Sequence, residues 1–513
     1  MYLKLFSILF YTFAGSWIPA PVESANILAV ETVGCKSHWN FMSSILRALV
    51  DNGHNVTVFT PFADGNRENY TEVSTGATTF LEMNIEDLMD KSNGPIKFTS
   101  HMLQMSRTMC NVIYENSKMK EVLSNTRSDF DIVITEPSRS ECVSYLAIKL
   151  NLPLIYLQPV PTMGIMERMY TGHMSNPAVV ANKLASFGVP KTFVQRTSNL
   201  AILISCTIIR EFNELIMKFT EPKEYDLHAP IPPSLVFINS HFTIEPASPI
   251  PSNVVAIGGI HLNLKATKKL PKDILDFIEQ SPHGVVYFTF GSIVKMTSLP
   301  EHIKKALIDG LAQIPQRVLW KYEDEIENLP KNVMVRKWLP QREILLHPNV
   351  KLFISHGGIS GLYEAIDGSV PILGFPLFAD QPKNIDNLVN AGIAISMDIL
   401  SITKDAFLKN VLELLNNEKY MENVKTASKI FKDRPMSPAS LVVYWTEYVL
   451  RHKGAPHLTS HAMNLLWYQY YLLDVIALIL VFIIVVIIVS YRIFKSISKY
   501  FSKYSRNTKS KSE

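Results

Sequence analysis

Cysteine is scarce in this chain. There are four in 513 residues, Cys35, Cys110, Cys142 and Cys206, all in the first half. Their spacing matches no zinc-ligand pattern, which excludes a cysteine-built metal site. In an oxidising compartment three pairings stay open. Free cysteine is among the most buried residue types, so mostly free, buried thiols are expected. Net charge of one sign is scarce too. Fifty Lys and Arg stand against 46 Asp and Glu, a formal charge of +4. Seven of the basic residues fall in 491–513, against one Glu. The rest is nearly neutral and offers no footprint for a nucleic acid. What is plentiful is apolar: 47% of residues. The length exceeds what one core usually serves, so two domains with appendages are expected.

The most informative stretch runs from Trp338 to Gln381. It reads Trp-Leu-Pro-Gln341, then Phe-Ile-Ser-His356-Gly357-Gly358-Ile-Ser360-Gly361-Leu-Tyr-Glu364, then Pro-Ile-Leu-Gly-Phe-Pro-Leu-Phe-Ala-Asp380-Gln381. Val350 to Ile354 is an apolar run of strand length. Ile359 to Ile366 has helical apolar spacing, and Val370 to Gly374 is a second buried strand. Strand, glycine turn, helix, strand is a βαβ unit. Glycine lets the backbone approach a bulky group, and a helix start attracts phosphate. His356 can donate to that phosphate, Glu364 can accept from ribose hydroxyls, and Trp338 offers a flat face to a base. Asp380 and Gln381 follow the next strand, at the carboxyl edge where ligands of open α/β sheets sit.

The same logic applies nearer the start. Asn26 to Val30 is a short apolar strand. Phe41, Ile45, Leu46 and Leu49 repeat at helical spacing, and Val56 to Phe59 is the second strand. His38 stands where the first strand feeds its helix. Phe130 to Glu136 is a further buried strand that ends in a carboxylate. The methionines Met83, Met89, Met102, Met105, Met109 and Met119 read as adaptable core filler. Gly284 to Phe290 is another strand, followed by the tight turn Gly291-Ser292.

The Trp338–Gln381 segment resembles the signature of UDP-dependent glycosyltransferases, in the animal membrane-bound branch. The likeness covers most of residues 26–490 and is densest at 284–470. It implies a GT-B-type α/β fold, two Rossmann-like parallel-sheet domains facing a cleft. In such proteins the tryptophan stacks on uracil, the histidine contacts the pyrophosphate, the glutamate holds ribose and the Asp-Gln pair holds sugar hydroxyls. The implied donor site is Gly291, Ser292, Trp338, Gln341, His356, Gly357, Gly358, Ser360, Gly361, Glu364, Asp380 and Gln381. Ser360 stands where many relatives have Asn, and a serine hydroxyl still donates to phosphate. The implied catalytic pair is His38 as general base and Glu136 as its orienting carboxylate. Relatives normally have Asp at the latter place.

The implied reaction is inverting transfer of a hexose to a hydroxyl of a small lipophilic acceptor, such as a phenol or terpenoid, in detoxification-type conjugation. The local text resembles invertebrate members, which favours glucose as donor sugar; glucuronic acid is the alternative. No metal and no cofactor are expected. A non-catalytic luminal binding protein on the same scaffold is the competing reading, and homo- or hetero-oligomers stay open.

The ends frame this core. Residues 1–25 read as a secretory signal: Lys4, then an apolar region too short to span a bilayer. Residues 26–245 are the expected acceptor domain, 246–435 the donor domain, and 436–466 return helices that brace the first domain. Residues 472–490 form the expected transmembrane helix; Val475 to Val489 are all apolar. Trp467, Tyr468, Tyr470 and Tyr471 precede it like an interfacial belt. The basic tail 491–513 is then cytosolic by the positive-inside rule, and the bulk luminal. Lys509-Ser-Lys511-Ser-Glu513 resembles a dilysine retrieval signal. These features together imply a single-pass type I protein of the endoplasmic reticulum membrane. Glycan acceptors are spelled at Asn69 and, adjoining an apolar strand and expected to stay bare, at Asn55.

Overall fold

Two all-parallel sheets carry the fold. A computed structural model describes residues 24–76, 94–125, 129–137, 141–228, 230–262 and 269–509. The expected leader up to residue 23, Met83, Met89 and the last four residues of the tail lie outside the described residues. The first sheet is built from β1 (Asn26–Val30), α1 (Lys36–Val50), β2 (Asn55–Thr60), β3 (Tyr70–Ser74), α2 (Pro95–Glu115), β4 (Ile132–Thr135), β5 (Leu154–Gln158), α3 (Phe193–Thr220), β6 (Leu235–Ile238) and β7 (Val254–Ala256). Its strand order is β3-β2-β1-β4-β5-β6-β7. The second holds β8 (Val285–Thr289), β9 (Arg317–Lys321), β10 (Val333–Arg336), β11 (Val350–Ser355), α4 (Ile359–Asp367), β12 (Ile372–Gly374), α5 (Gln381–Asn390) and β13 (Ala394–Ser396). Its order is β10-β9-β8-β11-β12-β13. Strands such as Ile27–Val30 and Leu352–Ile354 are buried on both faces. That is why they read as unbroken apolar runs rather than alternating ones.

Each order reverses once, between β1 and β4 in the first sheet and between β8 and β11 in the second. A crevice opens beyond the carboxyl ends of strands at such a reversal. His38 follows β1 and Glu136 follows β4. Gly291 and Ser292 follow β8, and His356-Gly357-Gly358 follow β11. All of these therefore stand at the two switch points. The chain then returns through α6 (Glu418–Lys432) and α7 (Pro438–Arg451). Val442 and Val449 of α7 join Ile45 and Leu49 of α1 in the first core. Both sheets belong to one compact unit that ends at Thr459; a second unit begins at Ser460. That second unit contains α8 (Leu473–Lys509), of which Leu473–Ser502 is long and apolar enough to cross a membrane.

Two expectations need correcting. The domain boundary at 245/246 is misplaced, because Val254–Ala256 pairs in parallel with β6, Val236 opposite Val254. The prolines from Pro246 to Pro251 punctuate a loop inside the first sheet, not a linker leaving it. Three apolar residues before a Gly-Gly pair look alike whether they close one sheet or open the next. The cysteines are also not mostly free: Cys110 pairs with Cys142, tying α2 to the segment after β4. Cys35 and Cys206 are buried thiols. Of the two sequons, Asn69 lies exposed in a turn with φ 55°. Asn55 Nδ2, at the start of β2, donates to Asn26 Oδ1 at 3.0 Å.

Candidate active site

His38 is the third residue of α1, and its Nδ1 lies 2.7 Å from Glu136 Oε1. An ionised carboxylate only accepts, so the proton sits on Nδ1 and Nε2 presents its lone pair. The Glu136 side chain is 1% exposed and the His38 side chain 20%. The carboxylate is locked in the wall while the imidazole reaches the opening. Asp131, at the other end of β4, accepts the Asn26 N–H at 2.8 Å, on the edge away from this pair. It completes the spelling Asp129-Phe-Asp131, an Asp-x-Asp that the fold thus keeps out of the crevice.

In the second lobe the glycines leave room for the protein's own side chains. Gly291 has φ +79°, and a Cβ on it would stand 2.7 Å from His356 Cε1. A Cβ on Gly358 would stand 2.7 Å from His356 Nε2, and one on Gly357, at φ +89°, 2.6 Å from Ile385. The turn is glycine-rich because the His356 ring lies across it and α5 packs beneath it. Its Nδ1 is buried and has no hydrogen-bond partner among the described residues. Burial and the nearby Lys321 ammonium push His356 down to about 4, so the ring is neutral near pH 7. Lys321, at the carboxyl end of β9, donates to Gly291 O at 2.8 Å. Its ammonium stands 5.9 Å from the Trp338 ring centroid. Trp338 is 67% exposed, with its indole free for a flat ligand. Helix α4 starts at Gly358, which has no side chain to cap the first-turn amides, and such a helix start favours an anion.

Deeper in, Gln341 Nε2 donates to Glu364 Oε2, and Tyr287 OH donates to Gln341 Oε1 at 3.3 Å. Burial pushes the Glu364 carboxyl up to about 7, against the pull of Gln341 and Arg342. His261 Nε2 donates to Ser360 O at 3.1 Å and lies 3.8 Å from Glu364 Oε1. Asp380 Oδ2 accepts from Asn384 Nδ2 at 2.7 Å. Burial raises the Asp380 carboxyl, while His38, across the crevice, acts to lower it. Gln381 Oε1 is committed to its own turn, accepting from Leu377 N at 2.9 Å and Phe378 N at 3.2 Å. Only its amide nitrogen is left for a ligand.

One cavity of about 590 Å³ joins these groups. His38 lines it from the first lobe; Gly291, Ser292, Trp338, Gln341, His356, Gly358, Ser360, Gly361, Glu364, Asp380 and Gln381 line it from the second. Of the expected set, Glu136 stands behind His38 and Gly357 behind the turn. Phe98, Met102, Leu103, Met163 and Met166 give the first lobe's share an apolar wall. Met109 and Met119, by contrast, are core filler. Lys321 and His261 went unread in the sequence. The one signal was that Lys321 ends an apolar strand at the carboxyl edge, where His38 and Glu136 also stand.

The arrangement sets an imidazole held by a buried carboxylate on one wall, and anion-seeking amides and a fixed ammonium on the other. Comparison with known proteins gives the family. A family model described as UDP-glucoronosyl and UDP-glucosyl transferase matches residues 26–511. UDP-glucosyltransferase 2 of Dactylopius coccus is 38% identical over 499 residues, covering 93% of this chain and 92% of that protein. UDP-glucuronosyltransferase 2B9 of Macaca fascicularis is 32% identical over 476 residues, covering 86% and 88%. Among solved structures, the glycosyltransferase VinC in complex with dTDP superposes with a TM-score of 0.54 at 17% identity, covering 83% of this chain and all of that one. LpCGTa in complex with UDP gives the same TM-score, identity and coverage. Those two likenesses establish the GT-B fold; the match over nearly the whole chain establishes more, that the protein belongs to the UDP-glucuronosyl and UDP-glucosyl transferase family and is a glycosyltransferase that uses a UDP-sugar.

Proposed function

We propose that the protein transfers a hexose, glucose in the first place, from its UDP-sugar to a hydroxyl of a small lipophilic acceptor, with inversion at the anomeric carbon. The observation that carries this is the His38–Glu136 pair, 2.7 Å apart, opening into the same cavity as the Gly291 and His356 turns. His38 Nε2 takes the hydroxyl proton as the acceptor oxygen attacks, and Glu136 stabilises the imidazolium that results. A base on the wall opposite the diphosphate drives attack from the face opposite the leaving group. UDP leaves toward the α4 amides, His356 and Ser292. Uracil stacks on Trp338, ribose hydroxyls donate to Glu364, and Asp380 with the Gln381 amide meets the sugar hydroxyls. No step calls on a metal or cofactor. The apolar wall of Met102, Leu103, Met163 and Met166 supports a phenol- or terpenoid-like acceptor.

The name of the 38% relative supports glucose. Glucuronic acid stays the second reading on the name of the 32% relative. Membrane anchoring through α8, a luminal catalytic unit with a cytosolic tail at 491–513, and residence in the endoplasmic reticulum complete the proposal. They rest on the leader-like start, the apolar Val475–Val489 run and the basic tail. Asn69 is then available for a glycan. Incubating the purified chain with a panel of UDP-sugars and phenols, and assigning the product by NMR, tests the reaction. A β-glucoside from the α-linked donor is expected; an α-product would overturn the assignment of His38.

Donor affinity is expected to depend on pH through Glu364. Its carboxyl titrates near 7 because burial disfavours the charged form. Ribose hydroxyls donate best to a carboxylate, so UDP-glucose binding strengthens as pH rises through 7. Below that value it weakens by up to about tenfold per pH unit, one proton being linked to binding. Calorimetry with UDP-glucose between pH 5.5 and 8.5 measures this, since its diphosphate does not titrate in that range. Glu364→Gln should flatten the profile at the weak end, and an unchanged slope in that variant would rule the explanation out.

A further inference from the structure

A second cavity, of about 470 Å³, lies beside the one that holds His38; Met163 and Asn182 line both. Its walls come from the first-lobe stretch 161–182, from α3, from the loop between β6 and β7, and from residues 433–436, where the chain crosses from α6 to α7. Lys383 of α5 meets it from the second lobe. Pro161, Val179, Val180, Leu203, Pro246 and Met436 give it an apolar wall. The charged groups on that wall are unequal. Glu167 accepts from Ser175 N at 2.8 Å and from Ser175 Oγ at 2.7 Å. Glu245 is paired with Lys383, and Asp433 is exposed to water. The carboxylates are thus satisfied, and the guanidinium of Arg434 is not.

Arg434 Nε donates to Phe431 O at 2.8 Å, and the guanidinium carbon sits 4.4 Å from the Phe431 ring centroid. Its two terminal amino groups have no hydrogen bond or ion pair among the described residues. Burial pulls this guanidinium below its usual range. A charge taken out of water normally comes with a partner. His241 lies against the same phenyl ring, the centroids 5.0 Å apart. Its Nδ1 accepts from Thr243 N at 3.2 Å, so the ring proton sits on Nε2, which has no partner among the described residues. Burial and the Arg434 charge push His241 down to about 4, so the ring is neutral near pH 7 and still donates. Two donors without acceptors therefore stand together on the wall of an apolar cavity. We propose that this cavity is a second ligand site, apart from the transfer site, for a small apolar molecule bearing a carboxylate, which Arg434 and His241 hold. A guanidinium matches a planar carboxylate in geometry as well as in charge. The occupant touches both lobes but none of the groups assigned to the sugar donor or to proton transfer.

The test is calorimetry on the full-length chain in phosphatidylcholine nanodiscs, with empty discs as the blank and no UDP-sugar present. The probe is 2-naphthoate, an apolar acid without a hydroxyl, and 2-naphthamide is its uncharged counterpart of the same shape. Saturable binding of 2-naphthoate is expected, with 2-naphthamide weaker by about tenfold or more, the loss of a charge-assisted contact. Arg434→Gln should weaken 2-naphthoate by a similar factor. Val180→Trp, which fills the cavity, should abolish its binding, whereas Met102→Trp, on the wall of the transfer cavity, should leave it in place. UDP affinity measured on each variant identifies the chains that have kept their fold. Should both Arg434→Gln and Val180→Trp fail to fold, the comparison of acid with amide on the unaltered chain still decides. No saturable binding of 2-naphthoate, or equal binding of acid and amide, overturns the proposal. So does binding that survives in folded Arg434→Gln and Val180→Trp chains, or that is lost in Met102→Trp alone, which would put the probe in the transfer cavity. Every arm is read without turnover, so a failed assignment of the reaction would not be mistaken for a failed second site.

Discussion

His38→Ala is expected to lower kcat by between about 10² and 10⁴ while leaving UDP affinity unchanged. The ring is the group at the opening whose free nitrogen meets the acceptor, and its Nδ1 is taken by Glu136 at 2.7 Å. Removing it deletes proton transfer but touches none of the groups around Gly291 and His356. Glu136→Gln should cost about as much, because an amide no longer stabilises the imidazolium and permits the wrong tautomer. Glu136→Asp is the finer test. Shortening the side chain by one methylene draws the carboxylate out of hydrogen-bond reach of Nδ1, and misplacement by about 1 Å costs on the order of 10²-fold. Steady-state kinetics and calorimetry with UDP read both quantities. A His38→Ala enzyme with wild-type kcat would remove the base from the mechanism. Loss of UDP binding together with activity would mean that the substitution had damaged the fold.

Much of this arrangement is legible in the sequence, for a physical reason. Parallel strands buried on both faces must be apolar runs, and ligands of such sheets gather where the runs end at a switch point. His38, Glu136, Gly291 and His356 each follow such a run directly. What could not be read depends on contacts between distant segments. Lys321 reaches Gly291 and Trp338 only because β8 and β9 are neighbours in the sheet. His261 reaches Ser360 only because the chain leaving the first sheet packs against α4. The glycines also have a reason the sequence does not spell: they clear room for His356 and Ile385. The boundary at 245 failed because proline marks a loop without saying which sheet resumes after it. The Cys110–Cys142 pairing depends on where α2 packs, which four cysteines in a row of letters do not reveal.

The second large effect is expected at Lys383. Its ammonium, 1% exposed, pairs with Glu245 in the loop between β6 and β7. Asn387 Nδ2 donates to the same carboxylate at 3.3 Å. This pair therefore fastens a loop of the first lobe to α5, two residues beyond Gln381. Lys383→Met leaves Glu245 enclosed without its counter-charge, and breaking a buried pair from one side costs about 3–5 kcal/mol. The midpoint of urea unfolding should fall accordingly. KM for UDP-sugar should rise as well, because α5 carries the Asp380–Gln381 turn. Removing both charges, in Lys383→Met with Glu245→Leu, should restore most of the stability, since the penalty lies in the stranded charge rather than in a lost attraction. Recovery of stability without recovery of KM would show that the pair sets the position of α5 as well as holding the lobes. A single variant as stable as the wild type would show that Glu245 reaches water, and that α5 is held by its apolar contacts alone.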